Sequence, residues 1–226
     1  MIAVSWNIHR GVSTLFRPSA HLVPRVLAET GAELVALQEA QLWRRPRHAL
    51  LDERALGDEA GLRVLHPAAG EQGWRGNMLL GGPGVRLLGG PWPLALGGWE
   101  PRGGLLAEVE WQGTRLRVAC AHLSLGGRRR AAQAELLLAA LEDGPPGPRL
   151  LLGDLNEQRG PALALLRARL TAPPHPATFP SARPFLALDH ALGHPSGLVA
   201  HVAAHATPLA RRASDHLPVV ARLSLR

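Results

Sequence analysis

Ile2-Ala3-Val4-Ser5-Trp6-Asn7 and Leu34-Val35-Ala36-Leu37-Gln38 are two short apolar runs with the alternation and β-branching of strands. Between them, Pro18–Thr30 carries apolar residues at Leu22, Val26 and Leu27, a helical spacing, and Gly31 closes it. A strand, a helix and a second strand in succession argue an α/β protein. Downstream, a polar segment with Arg44, Arg45 and Arg47 leads to a predicted helix over Leu50–Ala60. Short strands are predicted at Val64–Pro67, Asn77–Leu80 and Val85–Leu88. Leu105–Trp111 and Arg115–His122 read as a hairpin turning at Gln112-Gly113.

The rest continues the alternation. A helix is predicted over Arg128–Leu141, stopped by Gly144-Pro145-Pro146-Gly147. A buried strand follows at Leu150–Leu152, then a helix at Pro161–Leu170 and a Pro-rich loop at Thr171–Pro184. Leu186–Leu192, Leu198–Ala204 and Leu217–Leu225 read as closing strands. No repeat or long linker divides the chain, so residues 1–226 are read as one domain.

With 46% hydrophobic and 19% charged residues, the composition excludes a disordered chain. No apolar run approaches the roughly 20 residues that span a bilayer; the most apolar stretch, Leu79–Gly98, is interrupted by Gly and Pro. The single cysteine, Cys120, excludes an intrachain disulfide. The first residues enter a strand with no basic segment and apolar leader before it, and a cytoplasmic monomer is expected. The net charge is +7, and all 25 basic residues are arginine. That charge has two readings: a polyanionic substrate such as nucleic acid, or codon bias with solvated arginines.

The polar residues of interest lie at strand ends, where ligand-binding groups converge in α/β sheets. Asn7 ends the first strand, Glu39 the second and His122 a third. Asp154 and Asn156 follow a fourth, Asp189 ends a fifth, and Asp215-His216 precedes the last. The chain has only three asparagines; Asn7 and Asn156 sit in these motifs, and Asn77 lies beside another strand. Carboxylates supply hard oxygen ligands suited to Mg²⁺ or Mn²⁺, histidines donate to phosphoryl oxygens or protonate a leaving group, and amides orient water or phosphate. Hydrolysis of a phosphodiester uses all three. Taken alone, Asp154-Leu155-Asn156 is equally readable as a turn or helix cap, and Arg128-Arg129-Arg130 as a solvated helix face or a phosphate grip.

In order along the chain, Trp6-Asn7-Ile8-His9-Arg10-Gly11, Ala36-Leu37-Gln38-Glu39, Gly153-Asp154-Leu155-Asn156, Leu188-Asp189-His190 and Ser214-Asp215-His216-Leu217-Pro218-Val219 resemble the endonuclease/exonuclease/phosphatase superfamily, which includes deoxyribonuclease I. The resemblance implies a four-layer α/β sandwich, two mixed β-sheets face to face with helices outside. It implies a Mg²⁺- or Mn²⁺-dependent hydrolase of phosphoester bonds, a phosphodiesterase or nuclease using an activated water. It implies that Glu39 ligates the metal with Asn7 close by, that Asp215 contributes to the metal site, and that Asp154 deprotonates the attacking water while Asn156 holds it.

His216, oriented by Asp189, is implied to contact the scissile phosphate, and His122 to contact phosphate or assist the leaving group. Asn77 and Arg102 match family positions that touch phosphate. The alternatives are a phosphomonoesterase or lipid-headgroup phosphodiesterase of the same family, and a non-catalytic phosphate- or nucleic-acid-binding module. Several nucleases of the family place a tyrosine on phosphate, and this chain has none. The sequence shows no carboxylate partner for His122, and it offers Trp74 and Trp99 as surfaces for stacking.

Overall fold

In the structure, a computed structural model, residues 1–42, 48–97 and 102–225 are described. The opening strands are β1 (Ile2–Asn7) and β2 (Leu34–Gln38), joined through α1 (Val23–Thr30). Helix α1 ends at Gly31, whose left-handed φ of 63° is open to a residue without a Cβ. It starts later than the periodicity predicts, because Ala20–Leu22 forms a separate 3₁₀ turn ahead of it. Helix α2 (Glu53–Ala60) starts where the Asp52 side chain accepts from the Arg54 and Ala55 amides, so Leu50 and Leu51 lie outside it.

Strands β3 (Arg63–Val64), β4 (Met78–Gly81), β5 (Val85–Ala95), β6 (Gly103–Trp111) and β7 (Thr114–His122) follow. β6 and β7 form the expected hairpin, with Gln112 and Gly113 at φ of 47° and 79°. β5 runs seven residues beyond the expected Leu88, through Pro91 and Pro93. It is an edge strand, where a missing amide donor breaks no inner ladder. Then come α3 (Gly127–Glu142), β8 (Arg149–Asp154), α4 (Pro161–Arg167), β9 (Asp189–His194), β10 (Val199–Ala204), α5 (Pro208–Ala213) and β11 (Val219–Leu223). Helix α5 falls between the last two expected strands, where no element is predicted; Thr207 caps it and Pro208 occupies its first turn, a combination that favours helix starts.

A six-stranded sheet has the order β10-β11-β1-β2-β4-β3, and a five-stranded sheet the order β5-β6-β7-β8-β9. Both are mixed: β1 with β2 and β7 with β8 are parallel, and the remaining pairs antiparallel. Period-two alternation gives each sheet two apolar faces. The inner faces meet through Ala3, Leu34 and Ala36 on one sheet and Val118, Leu150 and Leu152 on the other. The outer face of the first sheet, with Val4, Trp6 and Val35, buries α1, α2 and α5 residues such as Val26, Leu56 and Ala210. That of the second, with Ala119, Leu151 and Leu192, buries Leu137 of α3 and Leu166 of α4. This is the expected four-layer sandwich of two mixed sheets between helices, the deoxyribonuclease I-like arrangement.

Candidate active site

Strand register brings the expected residues to one edge of the sandwich. Asn7 pairs with Gln38 across β1 and β2, so Asn7 and Glu39 end neighbouring strands. In the other sheet His122 lies opposite Asp154, and Asp154 opposite Asp189, three residues side by side. Each continues an inward-facing row by two residues: Asn7 after Ala3 and Ser5, His122 after Cys120, Asp154 after Leu152, and Asp189 before Ala191. β8 approaches β7 closely there, since a Cβ on Gly153 would strike the Ala121 carbonyl.

Asp154, fully buried, is the hub. Its Oδ2 accepts from Asn7 Nδ2 at 2.9 Å, across the two sheets, and its Oδ1 from the Asn156 amide at 2.9 Å. His122 Nε2 lies 3.3 Å and His216 Nε2 3.9 Å from Asp154 Oδ2. His216 Nδ1 sits 2.8 Å from Asp189 Oδ2, which also accepts from Thr178 Oγ1 at 2.5 Å. The Phe179 ring packs against the imidazole of His216 at 4.7 Å. Ser214 Oγ donates to the Asn7 carbonyl at 2.7 Å and accepts from the His216 amide at 3.2 Å, pinning the His216 loop to the end of β1. Asp154, Asp189 and His216 offer ligand atoms within 4.8 Å of one another, a buried group able to hold a metal ion.

The two histidines are pushed in opposite directions. Burial, the largest influence on His216, favours the neutral ring, but Asp189, followed by Asp154 and Asp215, overrides it and raises His216 to about 10. His216 is therefore an imidazolium near neutral pH. Burial dominates at His122 and outweighs Asp154; with Arg102 adding to the effect, His122 is held down at about 3. Arg102 Nη1 lies 2.7 Å from Nδ1 and 2.8 Å from Nε2 of this ring, and the Asn156 side-chain amide lies 3.1 Å from Nε2, on the side that also faces Asp154 Oδ2. Asn156 Nδ2 donates to the Leu123 carbonyl at 2.9 Å.

Glu39 stands at a left-handed φ of 53°, costly for a residue with a Cβ. His9, Arg10, Arg75 and Asn156 share this positive φ, so uncommon backbone conformations gather around this edge of the sandwich. Arg10 Nε lies 3.4 Å from Glu39 Oε2, and Arg102 Nη1 4.0 Å from Oε1. Oε2 is nevertheless buried with no hydrogen-bond partner. A buried hard oxygen with open acceptor capacity suits a divalent cation; the neighbouring Asn7 amide oxygen already accepts from the His9 amide at 3.0 Å. At His216 and Asp189, Nδ1 and Oδ2 hydrogen-bond each other, while Asp189 Oδ1 is, like Glu39 Oε2, buried with no hydrogen-bond partner.

Asp215 lies at the rim, with its Oδ1 3.8 Å from His9 Nδ1. Asn77 is fully buried and donates to the Gly103 carbonyl at 2.9 Å, locking the start of β6; its amide faces protein rather than the open edge. The Arg75 guanidinium covers the Trp74 ring at 4.5 Å, while Trp99 and the segment with Arg44, Arg45 and Arg47 lie outside the described residues. Of the Arg128–Arg130 cluster, Arg130 follows neither expectation. It pairs with buried Glu157 at 2.7 Å, and Glu157 in turn accepts from the Leu163 amide at 3.0 Å. This brace ties the Asp154-Leu155-Asn156 loop to α3 and α4. Sequence reasoning missed Thr178, Phe179 and Glu157; only Glu157, which directly follows the Asp154 motif, carried a positional hint.

No curated protein matches the sequence. The structure is similar to that of a functionally unknown conserved protein from Enterococcus faecalis V583, with 20% identity, TM-score 0.77 and full coverage of both chains. It is similar to D. rerio TDP2 complexed with single-strand DNA product (16% identity, 100% and 99% coverage, TM-score 0.73). It is also similar to the mannosyl-6-phosphatase Bt3783 of Bacteroides thetaiotaomicron VPI-5482 (15% identity, full coverage of both, TM-score 0.69). The model of the Endonuclease/Exonuclease/phosphatase family matches residues 4–216. With that match along nearly its whole length, the chain belongs to the endonuclease/exonuclease/phosphatase family, hydrolases of the phosphoester kind.

Proposed function

We propose that the chain is a divalent-metal-dependent phosphodiesterase of nuclease type, acting as one domain and a monomer, that cleaves by in-line attack of a water molecule. The observation that carries this reading is the position of His216, held between Asp189 at 2.8 Å and Asp154 at 3.9 Å. A fixed positive donor at the buried end of two sheets is suited to the charge that builds on a phosphoryl group in the transition state. Glu39, with Asn7 and Asp215 nearby, would hold Mg²⁺ or Mn²⁺, which supplies neutralisation of phosphoryl charge. Asp154 takes the proton of the attacking water, and Asn156 beside it orients that water or a phosphate oxygen. Arg102 and the neutral His122 face the phosphate or the leaving oxygen. Asn77 acts behind them as a positioning residue.

The +7 charge and the structural neighbour bound to single-strand DNA product favour a nucleic acid substrate. The mannosyl-6-phosphatase neighbour keeps a phosphomonoester as the competing reading. The deciding experiment is hydrolysis of a chromogenic phosphodiester and the matching monoester with Mg²⁺, Mn²⁺ or chelator, with Asp154→Ala as control. Diester cleavage lost with chelator and in the variant supports the proposal. Preference for the monoester redirects it to a phosphatase, and no activity on either class favours a binding module.

A further inference from the structure

The segment 178–181, between α4 and β9, lies against the segment 214–217 that carries His216. The Leu217 amide donates to the Thr178 carbonyl at 3.0 Å, and the Ser181 amide to the Asp215 carbonyl at 2.6 Å. Ser181 Oγ donates to the Ser214 carbonyl at 2.6 Å. The Thr178 amide donates to the Leu186 carbonyl at 2.8 Å, which ties the same segment to the approach of β9. Thr178, Ser181 and Ser214 are fully buried. Backbone bonds and one serine hydroxyl therefore hold the two segments together, with no contribution from the Thr178 side chain.

That side chain reaches Asp189 instead. A carboxylate only accepts, so the Thr178 hydroxyl donates to Asp189 Oδ2, at 2.5 Å, and His216 Nδ1 donates to the same oxygen at 2.8 Å. A carboxylate oxygen has about two lone-pair sites. The hydroxyl occupies one and leaves the other for the imidazole. Among the described residues, Asp189 Oδ1 has no hydrogen-bond partner. No hydrogen bond on that oxygen fixes the rotation of the carboxylate about its Cβ–Cγ bond, a broad two-fold torsion. Apart from His216 itself, the Thr178 hydroxyl is thus the hydrogen bond that sets which way the carboxylate faces. The next residue, Phe179, lays its ring against the His216 imidazole with the centroids 4.7 Å apart.

We propose that Thr178 is a positioning residue for His216. Its hydroxyl turns Asp189 so that one lone pair of Oδ2 meets Nδ1, which leaves Nε2 on the side of Asp154, 3.9 Å from Asp154 Oδ2. The inference rests on the phosphodiesterase reading above, in which His216 contacts the phosphoryl group. Valine at position 178 keeps the β-branched shape and the backbone bonds but removes the donor. The carboxylate is then held by His216 alone, and the pair can turn together. Serine keeps the donor.

Two readouts test this in the full chain. The first needs no substrate: the proton on His216 Nδ1 is followed by NMR as a low-field resonance, assigned by its loss in His216→Ala. Thr178→Val is expected to shift or broaden that resonance, and Thr178→Ser to keep it at the wild-type position. The second is hydrolysis of a chromogenic phosphodiester with Mn²⁺. Thr178→Val is expected to lower kcat at least about tenfold with KM unchanged, and Thr178→Ser to restore most of it. A general loosening of the fold would instead lower the melting temperature and leave kcat per folded molecule as it was. An unmoved resonance in Thr178→Val overturns the proposal, as does an unchanged kcat or a Thr178→Ser variant as impaired as Thr178→Val. A wild type that cleaves no diester defeats the phosphodiesterase reading, and the resonance then decides by itself whether Thr178 sets the Asp189–His216 contact.

Discussion

Asn7, at the end of β1, donates its amide to Asp154, at the end of β8, at 2.9 Å, and the two residues belong to different sheets. This bond closes the sandwich at the edge of the candidate site and sets the position of the carboxylate. Asn7→Ala removes a donor from a buried charged group, a loss of about 1.5–3 kcal/mol in unfolding free energy by urea denaturation. The same variant is expected to lose phosphoesterase turnover beyond what its unfolded fraction explains. Turnover per folded molecule equal to the wild type would make the contact purely structural.

Glu39 combines a left-handed backbone with a buried oxygen that has no hydrogen-bond partner. Glu39→Ala and Glu39→Gln are both expected to abolish Mn²⁺ binding by calorimetry while keeping the fold. If Glu39→Ala binds Mn²⁺ as tightly as the wild type, the cation belongs elsewhere, with the Asp154, Asp189 and His216 group next to be tested.

His216, raised to about 10 chiefly by Asp189 against the effect of burial, binds a proton more tightly folded than unfolded. Its unfolded value is near 6.5. The stabilisation from this group is therefore fully present below about pH 6.5 and is lost as pH rises through about 10. Asp189→Asn is expected to flatten that alkaline loss in unfolding curves and to lower the His216 titration midpoint by NMR. His216→Ala is expected to reduce turnover on the order of 10²–10³-fold. A collapse in melting temperature with unchanged activity per folded molecule would assign His216 to the fold alone.

The Arg130–Glu157 pair at 2.7 Å braces the loop that carries Asp154 and Asn156. Glu157 is buried and Arg130 retains some solvent contact. Glu157→Ala is accordingly expected to cost about 2–3 kcal/mol, below the ~3–5 kcal/mol of a fully buried pair. The double replacement Arg130→Met with Glu157→Leu should recover most of that loss in chemical denaturation. Failure to recover would locate the effect in the bond from the Leu163 amide to Glu157 instead.

Much of the architecture was legible locally. β1 and β2 begin and end where alternation and β-branching place them, and the Gln112-Gly113 turn is where the hairpin reverses. These features depend on neighbours a few residues apart. The extension of β5 through two prolines was not legible, because only the strand's edge position makes them tolerable. Helix α5 carried a readable signal in Thr207-Pro208 that its short length masked.

For the site, the sequence by itself determined which residues stand at strand ends, since period two and the end of an apolar run are local properties. Tertiary structure alone decided which ends meet. Asn7 and Asp154 are 147 positions apart, Trp6 reaches the His216 carbonyl across 210, and Arg102 reaches His122 across 20. The partner of His122 is Asp154 on the next strand, and no spacing in the chain announces it. The charge state of each histidine follows from burial and from the carboxylates and arginines packed around it. Burial and through-space charge are properties of the folded arrangement, so they arise only when the two sheets close on each other.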